Sequence, residues 1–292
     1  MITINLKFKY GSWADEIGKD FVQYKTDYFN DGSLKKQMIV PGFGSGFSRL
    51  LNFEIVWQYK NISEQIELYN IVKHINEKYP NISIELVMPY VPNARQDKLD
   101  EYLPTLKYFC KFINDLNFSK VKVLDVHSQV TLMLLDRAEE IPLSPIIKSI
   151  PKEEYNMICF LDYKTMLKYS KLFGDVSYRD IVYGEKVRDK DNADIVRYRT
   201  CFDPMTQSVC GRKVLLFHDI ASAGDDLFLC AEALKKEGAE DVVLYVTHCE
   251  TGFLLNRELE TNTAISKVIT TESVDRDAGH NKLQIINYKG EA

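Results

Sequence analysis

Two charged segments of this chain could hold a polyphosphate. Arg95–Lys98 follows the predicted strand Ile82–Met88, and the second segment is the run Glu185–Asp191. Arginine can give a phosphate two parallel hydrogen bonds, and lysine can approach it as a point charge. Either segment could also be a solvated surface loop whose charges pair among themselves. Residue types alone leave both interpretations open.

Acidic and imidazole side chains at the ends of predicted strands indicate a second kind of site. Asp125 and His127 lie at the end of the predicted strand Val121–Val126, and Asp162 follows the apolar run Met157–Leu161. Residues two apart on a strand project from the same face, so Asp125 and His127 could share a divalent cation, directly or through water. His127 could equally be a hydrogen-bonded structural histidine.

The segment Lys213–His248 has the pattern of an element that would position such groups. Its apolar runs Val214–Phe217 and Val242–Val246 predict buried strands, and an apolar helical repeat lies between them. Gly238 stands where a helix C-cap glycine belongs. We therefore predict a βαβ unit in which His218–Asp226 is the loop after the first strand. Parallel sheets bind ligands at that edge, and a helix N-terminus there attracts phosphate.

Elsewhere predicted strands and helices alternate, which indicates an α/β fold. Further predicted strands are Phe53–Trp57, Asp180–Tyr183, Ala264–Thr270 and Leu283–Ile286, and predicted helices are Ile62–Lys78, Tyr102–Leu116 and Lys164–Phe173. Val187–Gln207 is polar and predicts irregular structure. The proline-punctuated segment Ile141–Pro151 predicts a boundary, so we expect domains at residues 1–145 and 146–292.

Composition excludes several classes of protein. The chain has 292 residues, 45% of them hydrophobic, and a net charge of −5, so it can bury one or two cores but is a poor nucleic-acid binder. No apolar run reaches membrane-spanning length, and the first residues lack the apolar stretch of a signal peptide. We expect a cytoplasmic protein whose six cysteines are buried free thiols.

Several blocks, in order and over nearly the whole chain, resemble the ribose-phosphate pyrophosphokinase (phosphoribosyl-pyrophosphate synthetase) family. They are Phe29–Gly32, Met88–Tyr90 with Ala94–Asp97, Asp125–His127, Asp136 by its spacing, Lys186–Arg188 and the Lys213–His248 unit. The resemblance implies two phosphoribosyltransferase-type α/β domains, each a mainly parallel sheet flanked by helices, in a homo-oligomer. It also implies transfer of the β,γ-diphosphoryl group of ATP to the 1-hydroxyl of a ribose phosphate, with Mg²⁺ as cofactor and AMP released.

Residue roles follow from the same resemblance. It implies that Lys186 and Arg188 are catalytic. The implied ATP contacts are Phe29, Asp31, Arg95, Gln96, Asp97 and His127, and the implied metal contacts are Asp125, His127 and Asp136. The implied ribose-phosphate contacts are Asp162, Asp219, Ser222, Ala223, Gly224, Asp225 and Asp226. Neither nucleic acid nor a membrane is an expected partner.

Three departures from the family pattern concern substrate choice. Ser33 replaces the glutamate of the adenine-contacting turn, His218 replaces the first aspartate of the ribose-phosphate loop, and the phosphate grip has become Ser222–Asp226. Two carboxylates there would repel a terminal 5-phosphate. We hypothesise an acceptor with a substituted 5-phosphate, such as ADP-ribose, whose product would serve to rebuild NAD. Ribose 5-phosphate as acceptor, a non-catalytic partner protein and a phosphoribosyltransferase are the alternatives.

Overall fold

A computed structural model describes most of the chain, in two compact units. The described residues are 2–8, 23–30, 34–39, 50–97, 103–174, 176–188, 195–201, 208–276 and 279–288. The first unit is Met1–Ile141 and the second is Pro142–Ala292. In the described residues, no helix is both long enough and apolar enough to cross a membrane.

The first unit is a mainly parallel sheet with helices packed on it. Its strands are β1 (Ile2–Phe8), β2 (Gln23–Tyr28), β3 (Leu34–Ile39), β4 (Leu50–Trp57), β5 (Ser83–Val87), β6 (Lys120–Leu124) and β7 (Ala138–Ile141). Its helices are α1 (Ser63–Lys78), α2 (Thr105–Asp115) and α3 (Val130–Leu134). The sheet runs β1-β4-β5-β6-β7 with only β1 antiparallel to its neighbour, while β2 and β3 form a separate antiparallel pair.

Helix α1 shows why the first unit's helices form and pack. Leu68, Ile71, Val72 and Ile75 recur at helical spacing and are buried together against the sheet. Burying such side chains contributes about 1.5–3 kcal/mol each, and this apolar face therefore fixes which side of the helix meets the core.

The second unit is a larger sheet of the same kind. Its strands are β8 (Met157–Phe160), β9 (Ile181–Arg188), β10 (Ile195–Cys201), β11 (Lys213–Ala221), β12 (Asp241–Cys249), β13 (Lys267–Thr271) and β14 (Leu283–Ile286). Its helices are α4 (Ser144–Lys148), α5 (Tyr163–Tyr169), α6 (Asp225–Lys236), α7 (Thr251–Leu254) and α8 (Arg257–Thr261). The order is β10-β9-β8-β11-β12-β13-β14, and only β10 is antiparallel to its neighbour. The predicted α/β class with mainly parallel sheets is confirmed.

The strand order gives the second sheet a topological switch point between β8 and β11, which is where an open α/β sheet forms a ligand-binding crevice. From β8 the chain passes to β9 on one side, and it later returns to β11 on the other side of β8. The connections that leave β8 and β11 therefore diverge at their carboxyl ends. Open α/β sheets bind ligands at such a point. Asp162 follows β8, and the segment Ser222–Gly224 follows β11, so both lie at this edge.

Two sequence-based expectations about this sheet are wrong. Val187–Gln207 is not wholly irregular, because β9 extends to Arg188 and β10 pairs with it. His218–Asp226 is not all loop, because β11 continues to Ala221 and α6 begins at Asp225. In both places hydrogen bonding to a neighbouring strand outweighs the polar character of the local sequence.

The cysteines of the described part carry no disulfide. Cys110, Cys159, Cys230 and Cys249 are buried, as expected, whereas Cys210 is exposed. Burial raises the pKa of both Cys110 and Cys249 to about 12. These two thiols therefore stay protonated and inert at neutral pH, since the thiolate is the reactive form.

Gly224 is the residue that lets β11 turn into α6. Its φ is +99°, and an added Cβ would lie 2.6 Å from two ring carbons of Phe253 and 2.9 Å from Phe228. We expect Gly224→Ala to lower the free energy of unfolding by roughly 2–4 kcal/mol, because a left-handed alanine and an overpacked ring contact add their costs.

Gly211→Ala is the matched control for this prediction. Gly211 also has a positive φ, +71°, but an added Cβ would meet nothing within 4 Å. It should therefore cost only about 1–2 kcal/mol, the conformational part. Urea unfolding followed by circular dichroism measures both variants, and equal losses would contradict the ring contact as the cause.

Candidate functional site

A polar network lies where β8 and β11 end. The Nε2 atom of His218 is 3.3 Å from Oδ1 of Asp219, and its Nδ1 atom is 3.5 Å from Oγ1 of Thr165. Lys168 brings its Nζ atom to 4.0 Å from Oδ2 of Asp219. The Asp219 side chain is only 6% exposed, so these cationic or polar neighbours act with little solvent screening. Asp219 is thereby held as an oriented acceptor at the crevice.

Thr165 and Lys168 were not singled out from the sequence. They stand three residues apart on α5 and so share one face of that helix, which turns them both toward β11. The sequence does show Thr165 and Lys168 shortly after the strand-end Asp162. This spacing indicates a contact with β11 only once β8 and β11 are known to be neighbours.

Asp162 caps the helix that carries these residues. Its Oδ1 atom accepts hydrogen bonds from the Thr165 backbone N–H at 2.8 Å and from the Thr165 hydroxyl at 2.9 Å. A side-chain cap of this kind is worth about 1 kcal/mol. The structure thus gives Asp162 a structural task beside the ribose contact that the resemblance implies.

The two tasks of Asp162 can be separated by two substitutions. Asp162→Asn should keep the cap and the stability, whereas Asp162→Ala should lose about 0.5–2 kcal/mol, because alanine cannot accept the bond. Both should raise KM for the acceptor if the carboxylate contacts ribose. Thermal unfolding and acceptor kinetics of the pair provide the measurement, and a KM change confined to the alanine variant would leave Asp162 a cap alone.

The segment after β11 is short, and hydrogen bonds from neighbouring elements hold it in place. Asn256 donates from Nδ2 to the Ala223 carbonyl at 2.8 Å, and Glu250 donates its backbone N–H to the Ala221 carbonyl at 2.9 Å. Ser222, Ala223 and Gly224 are the whole connection. This connection is therefore positioned as a rigid rim of the crevice.

Lys186 and Asp226 form a close ion pair at this rim. Lys186 projects from β9, and its Nζ atom lies 2.6 Å from Oδ2 of Asp226 in the first turn of α6. Both side chains are about a third exposed or less. The structure thus brings together a predicted catalytic residue and a predicted ribose-phosphate contact that are separated by 40 residues in sequence. Arg188 ends β9, and its side chain lies outside the described part.

Tyr198 of β10 forms a buried wall behind this pair. Burial raises the pKa of Tyr198, and the charge of nearby Asp226 raises it further. Gly184 admits the ring, since a Cβ there would lie 2.9 Å from Tyr198 Cδ1 and 2.7 Å from the Leu161 carbonyl oxygen. A neutral tyrosine beside Asp226 is therefore a fixed feature of the site that no local motif indicated.

The N-terminus of α6 is surrounded by negative charge. Asp225 and Asp226 occupy its first turn. The pKa of Glu258 on α8 is raised, chiefly by burial and then by the charges of Asp225 and Glu232. A helix N-terminus favours one anion, but carboxylates already supply that charge here. The place is therefore unsuited to a second, doubly charged group.

In the first unit, two predicted segments follow neighbouring strands. The Met88 N–H donates to the Lys122 carbonyl at 2.8 Å, and the Leu124 N–H donates to the Pro89 carbonyl at 3.0 Å. The segments Arg95–Asp97 and Asp125–His127 therefore start from the same sheet edge. Asp125 is buried with a positive φ of +42°, whereas His127 is exposed.

The structure does not bring all remaining ATP-site and metal-site predictions to this edge. Asp136 precedes β7, the parallel neighbour of β6, and so lies at the opposite edge of the sheet from Asp125. Gln96 accepts a hydrogen bond from the Thr105 hydroxyl at the start of α2. Exposed Asp136 donates its backbone N–H to Asn114 Oδ1 at 2.9 Å. Phe29 is exposed, with Lys35 Nζ 5.7 Å from its ring centre, and Asp31 lies outside the described residues.

Comparisons with known proteins agree on one family. No family model matches the chain. The ribose-phosphate pyrophosphokinase of Pasteurella multocida is 25% identical over 218 residues, which are 71% of this chain and 67% of that protein. The enzyme of the same name from Pyrococcus furiosus is 28% identical over 169 residues, 56% of this chain and 58% of that protein. The chain is thus similar, as a divergent relative, to proteins of the ribose-phosphate pyrophosphokinase family.

A solved structure supports the fold over most of the chain. The phosphoribosylpyrophosphate synthetase of Mycobacterium smegmatis superimposes with a TM-score of 0.69 at 15% identity, covering 94% of this chain and 89% of that one. Such low identity carries the fold and nothing finer. The expectation of two phosphoribosyltransferase-type sheets is confirmed, while the sequence alignments span only about two thirds or less of the two relatives named above.

Proposed function

We propose that this chain transfers the β,γ-diphosphoryl group of ATP to the 1-hydroxyl of a ribose whose 5-phosphate is further substituted, with ADP-ribose as the representative acceptor. The hydroxyl oxygen attacks the β-phosphorus and releases its proton to solvent, the bond from that phosphorus to the α,β-bridging oxygen breaks, and AMP leaves with that oxygen. Phosphoryl transfer depends on alignment and on neutralising charge rather than on covalent catalysis. The side chains required are therefore cations and oriented acceptors.

The observation that carries the acceptor proposal is the Lys186–Asp226 ion pair. Asp226 lies in the first turn of α6, where a terminal 5-phosphate would have to approach. It already forms an ion pair with Lys186, whose Nζ atom is 2.6 Å away. A monoester dianion would meet like charge from Asp225 and Asp226. A diester phosphate has one charge fewer, and its distal adenosine supplies hydroxyl and amino donors that carboxylates accept. The geometry therefore favours a substituted 5-phosphate.

Asp219 and Lys186 supply the two activities that the reaction needs from the second unit. Asp219 is a buried acceptor held by His218 and Lys168, and this suits hydrogen bonds from ribose hydroxyls. Lys186 can leave Asp226 for the phosphates of ATP, because a partly exposed ion pair is worth only about 0–1 kcal/mol. The lysine would then neutralise charge at the transferring group.

The first unit fits a Mg²⁺ that arrives with its nucleotide. In the part of the chain that the structure describes, no three His, Cys, Asp or Glu side chains converge on one point. Mg²⁺ usually keeps several waters and binds one or two carboxylates plus substrate phosphates. Asp125, with His127 directly or through water, would hold it on this proposal, whereas Asp136 precedes β7 and lies at the opposite edge of the sheet. When bound, the ion would supply positive charge that offsets the charge of the phosphates.

Ribose 5-phosphate is the second candidate acceptor, because the relatives' names refer to ribose phosphate. The test is to incubate the protein with Mg²⁺-ATP and each acceptor separately, and to follow AMP and product by phosphorus NMR. We expect AMP to form with ADP-ribose. Turnover of ribose 5-phosphate alone would reject the substituted acceptor, and no AMP with either would favour a non-catalytic partner protein.

A further inference from the structure

The hydroxyl group of Tyr198 is buried and has no part in the reaction proposed above. Tyr198 on β10 is only 5% exposed, and within the described residues its hydroxyl forms no hydrogen bond. Such a group has lost its hydrogen bonds to water and gained none in return, so native proteins rarely keep one without a reason. A partner that becomes available in another state of the site is one such reason.

The Tyr198 side chain faces the ion pair between Lys186 and Asp226. Tyr198 and Lys186 are direct partners in the antiparallel pairing of β10 with β9, so both side chains project from the same face of the sheet. The ring packs on Gly184, two residues before Lys186, where an added Cβ would lie 2.9 Å from Tyr198 Cδ1. Asp226 lies over the same face, with its Oδ2 atom 2.6 Å from Lys186 Nζ. The ammonium and the hydroxyl therefore reach Asp226 from neighbouring strands.

Asp226 is the acceptor that lies nearest to becoming a partner of this hydroxyl. Burial raises the pKa of Tyr198, and the charge of Asp226 raises it further, although the two groups stop short of a hydrogen bond. The charge of Asp162 has a smaller effect, and its Oδ1 atom already accepts two hydrogen bonds from Thr165. Only the Oδ2 atom of Asp226 is engaged by Lys186. A small turn of the Asp226 carboxylate is therefore enough to bring it to Tyr198.

We propose that Tyr198 is a positioning residue, whose hydroxyl donates a hydrogen bond to Asp226 when Lys186 leaves it. The inference rests on the proposed function, in which Lys186 moves from Asp226 to the phosphates of ATP. That move takes the cation from a partly buried carboxylate, and such a group is costly unless it accepts hydrogen bonds. The Tyr198 hydroxyl supplies one while keeping its proton. Asp226 then stays oriented, and it holds the lysine back less.

Removing the lysine imitates its departure and requires neither nucleotide nor turnover. In the unmodified chain, Tyr198→Phe keeps the ring and removes a hydroxyl without a partner, so the urea midpoint should stay the same or rise. In Lys186→Ala, the same change should lower the folding equilibrium constant roughly tenfold, the lower end for a hydrogen bond to a charged group, because Asp226 is partly exposed. In Lys186→Ala/Asp226→Ala the acceptor is gone, and Tyr198→Phe should again cost nothing.

Lys236→Ala is the matched background for this cycle, because it also breaks an ion pair of α6 but leaves Lys186 on Asp226. Tyr198→Phe should cost nothing there. A loss of stability on Tyr198→Phe in the unmodified chain, or no loss in Lys186→Ala, would overturn the exchange of partners.

Turnover tests the positioning role separately. In the chain that retains Lys186, Tyr198→Phe should lower kcat for AMP formation roughly tenfold and leave KM for the acceptor unchanged, because the hydroxyl acts on Asp226 only after Lys186 has moved. An unchanged kcat would overturn this role. If the unfolding cycle behaves as expected but no acceptor yields AMP, the exchange at Asp226 stands and the proposed diphosphoryl transfer fails.

Discussion

Replacing Lys186 by alanine is expected to lower kcat for AMP formation about 100- to 1,000-fold. The reason is that a preorganised cation aimed at a phosphate contributes on this scale to the transition state. The fold should hardly change, because the Lys186–Asp226 pair is partly exposed and such pairs contribute about 0–1 kcal/mol. Initial rates with the better acceptor, together with a thermal unfolding curve, measure the two effects.

Lys236→Ala is the matched control for that experiment. Lys236 lies in the last turn of α6, whereas the partner of Lys186 lies in the first turn. It also forms an ion pair, with Glu232 at 3.8 Å, but it is 80% exposed and distant from the crevice. Its loss should leave kcat unchanged. Undiminished turnover by Lys186→Ala, or an equal loss in both variants, would remove Lys186 from the mechanism.

The sequence predicted best those elements whose own residues determine them. The apolar run at β8 is bounded on both sides and fully buried, and Leu283–Ile286 forms β14 as predicted. Strand β10 could not be found this way, since Arg197, Arg199 and Thr200 interrupt its apolar pattern and its hydrogen bonds come from β9. A local pattern reports side-chain burial, whereas an edge strand is determined by its partner.

The same distinction, between features set by local residues and features set by a distant partner, applies to the candidate site. The position of Asp162 after a strand followed from the local sequence, and Asp219 and Lys186 became candidates through the family resemblance. Their contacts did not, because the Lys186–Asp226 pair and the His218–Thr165 approach each join elements that only the strand order brings together. The helix cap formed by Asp162 involves a residue only three positions away and could have been predicted from the sequence. It was not predicted, because Asp162 was interpreted as a ribose contact instead.

Replacing Asp226 by asparagine is expected to raise kcat/KM for ribose 5-phosphate by roughly tenfold. One charge pair at 4 Å contributes about 1 kcal/mol in water, so a dianion facing Asp226 loses about 2 kcal/mol. Partial neutralisation by Lys186 reduces that penalty in the present chain. In the variant the repulsion disappears, and the released lysine can bind the phosphate instead. For ADP-ribose no comparable gain is expected.

Asp225→Asn is the control that distinguishes the loss of one negative charge anywhere in this helix turn from its loss at position 226. It removes the same charge from the same helix turn, but Asp225 is exposed, whereas Asp226 holds Lys186. Its gain with ribose 5-phosphate should be smaller, and raising the salt concentration should shrink both gains, because exposed charges are screened. Equal gains would make the net charge of the α6 N-terminus the determinant. If neither variant gains, repulsion by these carboxylates is not what selects the acceptor, and the argument for a substituted 5-phosphate fails with it.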